Sequence, residues 1–234
     1  MNHIAIALPC YDRPHMLMVQ SLAQMMYFLG AHKAPTAMVS GSASIVTTAR
    51  NNCIEAIENL EAKGTKVEWI FWLDDDMTFP KDVLVRLLRH DKDIVGATYC
   101  RRSPPYDVHG KTLSRKAESV HSGLVEMEGV PTGCLLTRRD IFKKLPKPWW
   151  RLGIDEEKKL QIGEDYMFSR HARELGYKLW LDVDLSKEIG HVAEKVLYPE
   201  ADGWGGPENQ AKLESAIVRA TPIQVGLING SSAN

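Results

Sequence analysis

Residues 67–73 form the strongest strand signal of the chain. Apart from Glu68 they are apolar, with the aromatic and branched side chains that favour extended structure. Three consecutive aspartates, Asp74, Asp75 and Asp76, follow directly. The pattern predicts a buried strand that ends in a cluster of negative charge.

Strand and helix patterns alternate on both sides of this run. Strands are predicted at residues 3–8, 36–39, 93–99, 130–137 and 178–182, and helices at residues 14–29, 45–60, 80–90 and 165–175. Such alternation predicts an α/β fold in which a mostly parallel sheet is flanked by helices on both faces. In these sheets ligands bind at the carboxyl ends of the strands, which is where the aspartates fall.

Length and composition favour one soluble domain. The 234 residues and the net charge of −1 suit a single globular unit and argue against a general polyanion binder. We expect a domain at residues 1–199 and a partly disordered C-terminal lid or tail at residues 200–234, with Gly203, Gly205 and Gly206 as hinge positions. The chain has no long apolar run, no basic leader and four scattered cysteines, so we expect a cytoplasmic protein without membrane contact.

The three aspartates predict a site for a divalent cation. Adjacent carboxylates repel one another, and a cation among them offsets this repulsion. Mg²⁺ or Mn²⁺ commonly bridges protein carboxylates to a diphosphate. If the chain stays extended, Asp74 and Asp76 face one way and Asp75 the other. The alternative is a solvated acidic turn.

Three further signals carry possible chemistry. Glu164 and Asp165 open the last predicted helix, where they serve either as an acidic cap or as a general base. His191 is either a structural histidine or a further ligand for a metal at Asp76. Arg50 either pairs with a phosphate or a base or lies on a solvated helix face.

Together these residues resemble the GT-A glycosyltransferases, particularly family 2, including small soluble members of phage type. The resemblance covers roughly residues 4–193. Its parts, in chain order, are the nucleotide-bordering segment Pro9, Cys10, Tyr11 and Asp12, the A-R-N element at Ala49, Arg50 and Asn51, the D-x-D region at Asp74, Asp75 and Asp76, the turn at Gly133 between donor and acceptor sites, the base motif Glu164 and Asp165, and the metal position His191.

The resemblance implies a mechanism and a set of roles. Asp76 would bind Mn²⁺ or Mg²⁺, with Asp74 and His191 as further ligands, and Asp74 or Asp75 would contact the ribose and diphosphate. Asp165 would be the base, supported by Glu164. It further implies an inverting, single transfer from a nucleotide sugar, with a UDP-sugar as the default donor, in the cytoplasm of a host cell if the gene is carried by a phage.

Two basic loops bear on the acceptor. They hold Arg101, Arg102, Lys111, Arg115 and Lys116 in one and Arg138, Arg139, Lys143, Lys144, Lys147 and Arg151 in the other, with Tyr106, Trp149 and Trp150 among them. Basic and aromatic side chains together suit phosphate contact and base stacking, so a hydroxylated base in DNA is one acceptor. The others are a saccharide or small molecule, which paired tryptophans also suit, and a protein or lipid; the loops are otherwise plainly solvated.

Two other functions compete with glycosyl transfer. A sugar-phosphate nucleotidyltransferase shares the sheet and the metal, but it should open with a glycine-rich loop, and residues 9–14 contain no glycine. A non-catalytic nucleotide or nucleic-acid binding module would keep the basic loops but has no need of Asp165. Replacing Asp165 therefore separates an enzyme from a binding module.

Overall fold

The computed structural model describes residues 3–102, 106–113 and 121–193. Its main sheet contains β1 (His3–Cys10), β2 (Thr36–Ser42), β3 (Val67–Leu73), β5 (Ile94–Gly96), β6 (Lys111–Thr112), β7 (Leu124–Gly129), β8 (Cys134–Arg138) and β11 (Leu179–Asp182), and two small sheets pair β4 (Met77–Thr78) with β12 (Gly190–His191) and β9 (Gly153–Asp155) with β10 (Leu160–Ile162). The helices are α1 (Met16–Ala31), α2 (Val46–Ala62), α3 (Val83–Arg89), α4 (Arg139–Lys144), α5 (Glu164–Glu174) and α6 (Val183–Ser186). The predicted lid or tail at residues 200–234 lies outside the described residues, as do Arg115 and Lys116.

The main sheet is mostly parallel, as the alternation predicts. Its order is β2-β1-β3-β8-β5-β11-β7-β6. β1 is parallel to β2 and β3, and β5 is parallel to β11. β8 lies antiparallel between β3 and β5, and β7 lies antiparallel to β11 and β6. The other strands therefore share one direction, and the mixed α/β architecture is confirmed.

β3 is buried on both faces because its side chains alternate between two cores. Ile70 and Trp72 pack into one core with α2, α4 and α5, whereas Phe71 and Leu73 pack into the other with α1 and α3. Two helical layers thus cover the sheet, which explains why this strand is almost wholly apolar. Among the described residues, no helix is long and apolar enough to cross a bilayer.

The predicted elements recur with small shifts, and the sequence pattern missed several others. The strand at 67–73 matches β3, while the helix predicted at 165–175 begins one residue earlier, at Glu164. β7, the β9–β10 hairpin and the short helices α4 and α6 were not predicted. β7 alternates inward residues such as Val125 and Met127 with outward glutamates, which is typical of an antiparallel strand with one solvated face.

Gly41 provides a test of the contact between β2 and α2. A methyl group on Gly41 would overlap the backbone carbonyl of Ala49 in α2, whereas a methyl group on Gly30 in α1 would meet open space. Because the α2 backbone cannot move freely, Gly41→Ala is expected to lower the free energy of unfolding by about 1–3 kcal/mol. Gly30→Ala is the matched control and is expected to raise it by up to about 1 kcal/mol through helix propensity. Urea denaturation measures both, and equal stabilities would contradict the close packing.

Candidate functional site

A cavity of about 330 Å³ lies at the carboxyl ends of β1 and β3. It brings together residues that are far apart in the chain and that the sequence analysis singled out. The predicted residues that line it are Pro9, Cys10, Tyr11, Arg50, Asp74, Asp75, Asp76, Arg102, Glu164, Asp165 and His191. Asp12 is not among them, and its side chain is 74% exposed.

The three aspartates after β3 have different partners. Residues 75 and 76 form a turn, so the expected alternation of an extended strand does not hold and all three carboxylates line the cavity. Asp74 accepts a hydrogen bond from Arg50 at 2.8 Å, and Asp76 lies 3.2 Å from His191. Asp75 interacts with the thiol of Cys10, and burial raises the pKa of its carboxyl group. The negative charge is thus divided among separate contacts.

Asp76 and His191 are held side by side by two short strands. His191 pairs with Met77 across β4 and β12, and the N–H of Val192 donates to the carbonyl of Asp76 at 2.8 Å. Nδ1 of His191 lies 2.8 Å from the carbonyl oxygen of Cys100, which leaves Nε2 directed at Oδ2 of Asp76. A histidine whose other ring nitrogen donates to a backbone carbonyl is the usual arrangement around a bound metal.

The charges around Asp76 favour its ionised form. Burial alone would raise its pKa, but the hydrogen bond and charge of His191 and the charge of Arg102 hold it below the ordinary value. Burial would likewise lower the pKa of His191, whereas its bonds to Asp76 and Cys100 raise it. The carboxylate is therefore ionised at neutral pH.

The Asp76–His191 pair fits a divalent ion as a partial site. Two adjacent ligands of an octahedral ion, each about 2.1 Å from it, lie about 3.0 Å apart, close to the observed 3.2 Å. Among the described residues no three His, Cys, Asp or Glu side chains converge on one point, and Asp74, also predicted as a ligand, is paired with Arg50 instead. An ion here would take its remaining ligands from water and substrate phosphates, as Mg²⁺ commonly does.

Arg50 is a buried cation that connects two motifs. Its side chain is 2% exposed, its Nη2 donates to Asp74, and its Nε lies 3.5 Å from Glu164, too far for a hydrogen bond. Its guanidinium carbon lies 5.4 Å from the ring centre of Trp150. Nε and Nη1 have no hydrogen-bond partner among the described residues. The interpretation of Arg50 as a solvated surface residue is therefore wrong.

Asp165 lies in the first turn of α5, where its side chain accepts a hydrogen bond from the N–H of Tyr166 at 2.8 Å. Burial and the adjacent charge of Glu164 raise its pKa to about 6, against the smaller opposing effects of this hydrogen bond and of Arg50. A carboxylate with this pKa is ionised at neutral pH and still basic enough to take a proton. Glu164 is instead oriented toward Arg50.

Tyr99 and His109 also line the cavity and were not predicted. The hydroxyl oxygen of Tyr99 accepts a hydrogen bond from the N–H of Gly133 at 3.0 Å, and its ring lies 5.0 Å from that of His191. A side chain on Gly133 would meet both Tyr99 and Asp74, so glycine permits their close approach. Tyr99 ends a predicted strand, which is a weak positional signal, whereas nothing around His109 in the sequence marks it.

The predicted acceptor-side aromatics divide into exposed and buried residues. Tyr106 is exposed, but Trp149 and Trp150 are only 4% and 1% exposed. Trp149 donates to the carbonyl of Phe142, and Trp150 packs edge-on against Trp72. Their assignment to an acceptor-binding wall is wrong, because a buried ring has no free face for stacking.

The second basic segment, predicted as a loop, begins at the end of β8 and continues through α4, and it is largely neutralised by neighbouring acids. Arg138 binds Glu68, Arg139 binds Glu61, and Lys143 binds Asp140. In the first loop Arg101 is exposed and does not line the cavity, whereas Arg102 does. The structure therefore leaves less free positive charge for a polyanion than the composition of these loops indicates.

Comparisons with known proteins find similarity at the level of structure. No protein-family model matches the chain, and a search of curated proteins finds no match. The chain is similar to the crystal structure of GalNAc-T7 with UDP, GalNAc and Mn²⁺ (11% identity, TM-score 0.49, covering 92% of this chain and 48% of that one). It is also similar to the catalytic domain of Drosophila β1,4-galactosyltransferase 7 in complex with xylobiose (14%, 0.47, 86% and 79%) and to A197 from STIV (12%, 0.46, 85% and 97%). Likeness at this level concerns the path of the backbone and says nothing about donor or acceptor.

The raised pKa of Asp165 predicts a pH-dependent cost to stability. Above about pH 6 the folded protein holds a charged buried carboxylate, whereas below about pH 4 the group is neutral in both folded and unfolded states and the cost is gone. Asp165→Asn keeps an acceptor for the Tyr166 N–H without the charge. Its melting temperature is expected to exceed that of the wild type near pH 8, by a margin that shrinks as the pH falls from about 6 to about 4.

Asp12→Asn is the control for this measurement, because it removes the same charge at an exposed position. Thermal unfolding followed by circular dichroism across the pH range compares the three proteins. A constant difference between Asp165→Asn and the wild type at all pH values would contradict a raised pKa.

Proposed function

We propose that the chain is a metal-dependent glycosyltransferase that moves a sugar from a nucleotide-diphosphate sugar to an acceptor hydroxyl with inversion at the anomeric carbon. The observation that carries the proposal is that Asp76 and His191, whose spacing fits a divalent ion, line the same cavity as a buried carboxylate, Asp165, whose pKa is raised to about 6. A cation site suits a diphosphate leaving group, and a base of this pKa suits activation of a hydroxyl. The resemblance to family 2 makes a UDP-sugar the first donor to test.

The donor half of the cavity is formed by Asp76, His191 and the residues at the end of β1. A divalent ion held there by Asp76 and His191 would offset the charge that builds on the departing diphosphate. Pro9, Cys10 and Tyr11 form the wall beside it, and the exposed ring of Tyr11 is free to contact a nucleotide base. Asp74 is held by Arg50, and we assign to it the hydroxyl groups of the donor ribose.

The acceptor half centres on Asp165. Its carboxylate takes the proton of the acceptor hydroxyl while the acceptor oxygen forms a bond to the anomeric carbon. The bond from that carbon to the diphosphate oxygen breaks, and its electron pair leaves with the diphosphate. Glu164 forms an ion pair with Arg50, so Asp165 is the carboxylate that we assign as base.

For the acceptor we place a saccharide or small-molecule hydroxyl before a hydroxylated base in DNA. The support for DNA came from basic loops with tryptophans, and these tryptophans are buried while much of the second loop is paired with acids. Exposed Arg101 and Tyr106 remain as contacts that a nucleic acid could use.

Donor binding is tested first with a thermal-shift panel of nucleotides and nucleotide sugars, with and without Mn²⁺. A ligand at 100 times its Kd stabilises the folded state by about 2.7 kcal/mol, which raises the melting temperature. We expect a Mn²⁺-dependent rise with one nucleoside diphosphate and its sugar, and loss of that rise in Asp76→Ala. Asp140→Ala, an exposed aspartate of α4, is the matched control and should keep it. Equal shifts in the presence and absence of Mn²⁺ would remove the metal from the proposal.

Catalysis is tested with Asp165→Asn. We expect the release of nucleoside diphosphate in the presence of acceptor to fall by about 10²–10⁴-fold, while the Kd of the donor stays within a factor of about two, because the variant lacks the base but keeps the donor half. The acceptor arms are a panel of saccharides and single-stranded DNA containing hydroxymethylated bases. A wild-type protein that binds the donor but transfers to none of them, and does not release diphosphate to water, would indicate a binding module.

A further inference from the structure

One oxygen of Asp76 contacts both Arg102 and His191. Nη1 of Arg102 donates to Oδ2 of Asp76 at 2.9 Å, and Nε2 of His191 lies 3.2 Å from the same atom. A divalent ion shared by Asp76 and His191 would bind this oxygen. Arg102 therefore already holds the oxygen atom that such an ion would bind.

Of the three side chains, Arg102 is the one that is free to move. Asp76 and His191 are tied together through β4, β12 and the Val192–Asp76 backbone bond, and His191 is further held by Cys100. The side chain of Arg102 is 61% exposed and lies on a loop outside the strands and helices. A small cation that approaches Asp76 can thus displace the guanidinium without disturbing the backbone.

We propose that Arg102 competes with the divalent ion for Asp76 and, once displaced, binds the diphosphate of the donor. This rests on the proposed function, because it assumes an ion at Asp76 and a diphosphate bound to that ion. Repulsion from the ion would drive the guanidinium away from Oδ2, and a diphosphate held by that ion would offer it phosphate oxygens in the same cavity. The planar guanidinium is suited to two parallel hydrogen bonds with phosphate oxygens.

The proposal gives Arg102 a different role from the acceptor-side one predicted from its loop. Arg101 is the adjacent residue with the same charge, but its backbone N–H donates to the carbonyl oxygen of Asp107 and it does not line the cavity. Arg101 also serves as a matched control for the effect of net charge.

The first measurement is Mn²⁺ binding in the absence of nucleotide, followed by the electron paramagnetic resonance signal of free Mn²⁺. Arg102→Gln is expected to bind Mn²⁺ roughly tenfold more tightly than the wild type, because the ion no longer displaces a charge-assisted hydrogen bond. Arg101→Gln is expected to differ by no more than about twofold, and Asp76→Ala to lose this binding. An Arg102→Gln variant that binds Mn²⁺ as the wild type does, or more weakly, overturns the proposal.

The second measurement is UDP binding at saturating Mn²⁺, followed by calorimetry. Here Arg102→Gln is expected to act in the opposite direction, with roughly tenfold weaker binding of UDP than the wild type and little change for uridine. Unchanged UDP affinity in Arg102→Gln overturns the diphosphate contact. If the wild type binds no Mn²⁺, the metal site and this proposal fail together, whereas Mn²⁺ binding that depends on Asp76 but not on Arg102 leaves the proposed function intact.

Discussion

The buried guanidinium of Arg50 holds together segments of the chain that line the cavity. A cation removed from water is stable only when carboxylates and polarisable groups surround it, and Asp74, Glu164 and the ring of Trp150 supply that environment. These three partners come from the end of β3, the start of α5 and the loop before β9. Because the cost of leaving Arg50 unpaired is high, the contact constrains all of these segments at once. Arg50 thereby fixes the end of β3 relative to the start of α5.

The sheet makes this contact possible through the antiparallel strand β8. β8 lies beside β3, so that Cys134 pairs with Leu73 and the preceding Gly133 comes next to Asp74. A residue with a side chain at position 133 would push Tyr99 and Asp74 apart. The strand that interrupts the parallel order therefore brings glycine to the point where β3 ends, and the site depends on that departure from a simple doubly wound sheet.

Local pattern predicted the parts of the site that are local in the sequence. The run at 67–73, the aspartates after it and the carboxylates that open α5 could be placed because each combines a secondary-structure signal with its own chemistry. Trp149 and Trp150 could not be placed, because an adjacent pair of tryptophans looks the same in a surface wall and in a core. Their burial depends on Phe142, Phe168 and Trp72, which lie on three other elements.

Contacts between residues far apart in the sequence also determine the surroundings of two charged residues for which the sequence allowed several interpretations. Arg50 and Arg102 are both arginines that had two or more interpretations, yet one is enclosed between two carboxylates and the other reaches Asp76 from an exposed loop. Their partners lie 24 and 26 positions away in the chain. Helix and strand periodicity relates only residues a few positions apart, so it cannot predict these contacts. The sequence shows that both residues carry a positive charge, but only the fold shows which carboxylate each arginine contacts.

Asp76 and Asp165 are the same type of residue, but their surroundings shift the pKa values of their carboxyl groups in opposite directions. Asp76 is partly buried but faces His191 and Arg102, so its pKa is lowered and it stays an anion suited to a cation. Asp165 is buried beside another acid, so its pKa rises to about 6 and it can gain and lose a proton near neutral pH. When the environments of two carboxyl groups in one cavity push their pKa values apart, one group is fitted to bind charge and the other to transfer protons. The cavity has this asymmetry before any substrate enters, which is why we assign the metal to Asp76 and the base to Asp165 rather than the reverse.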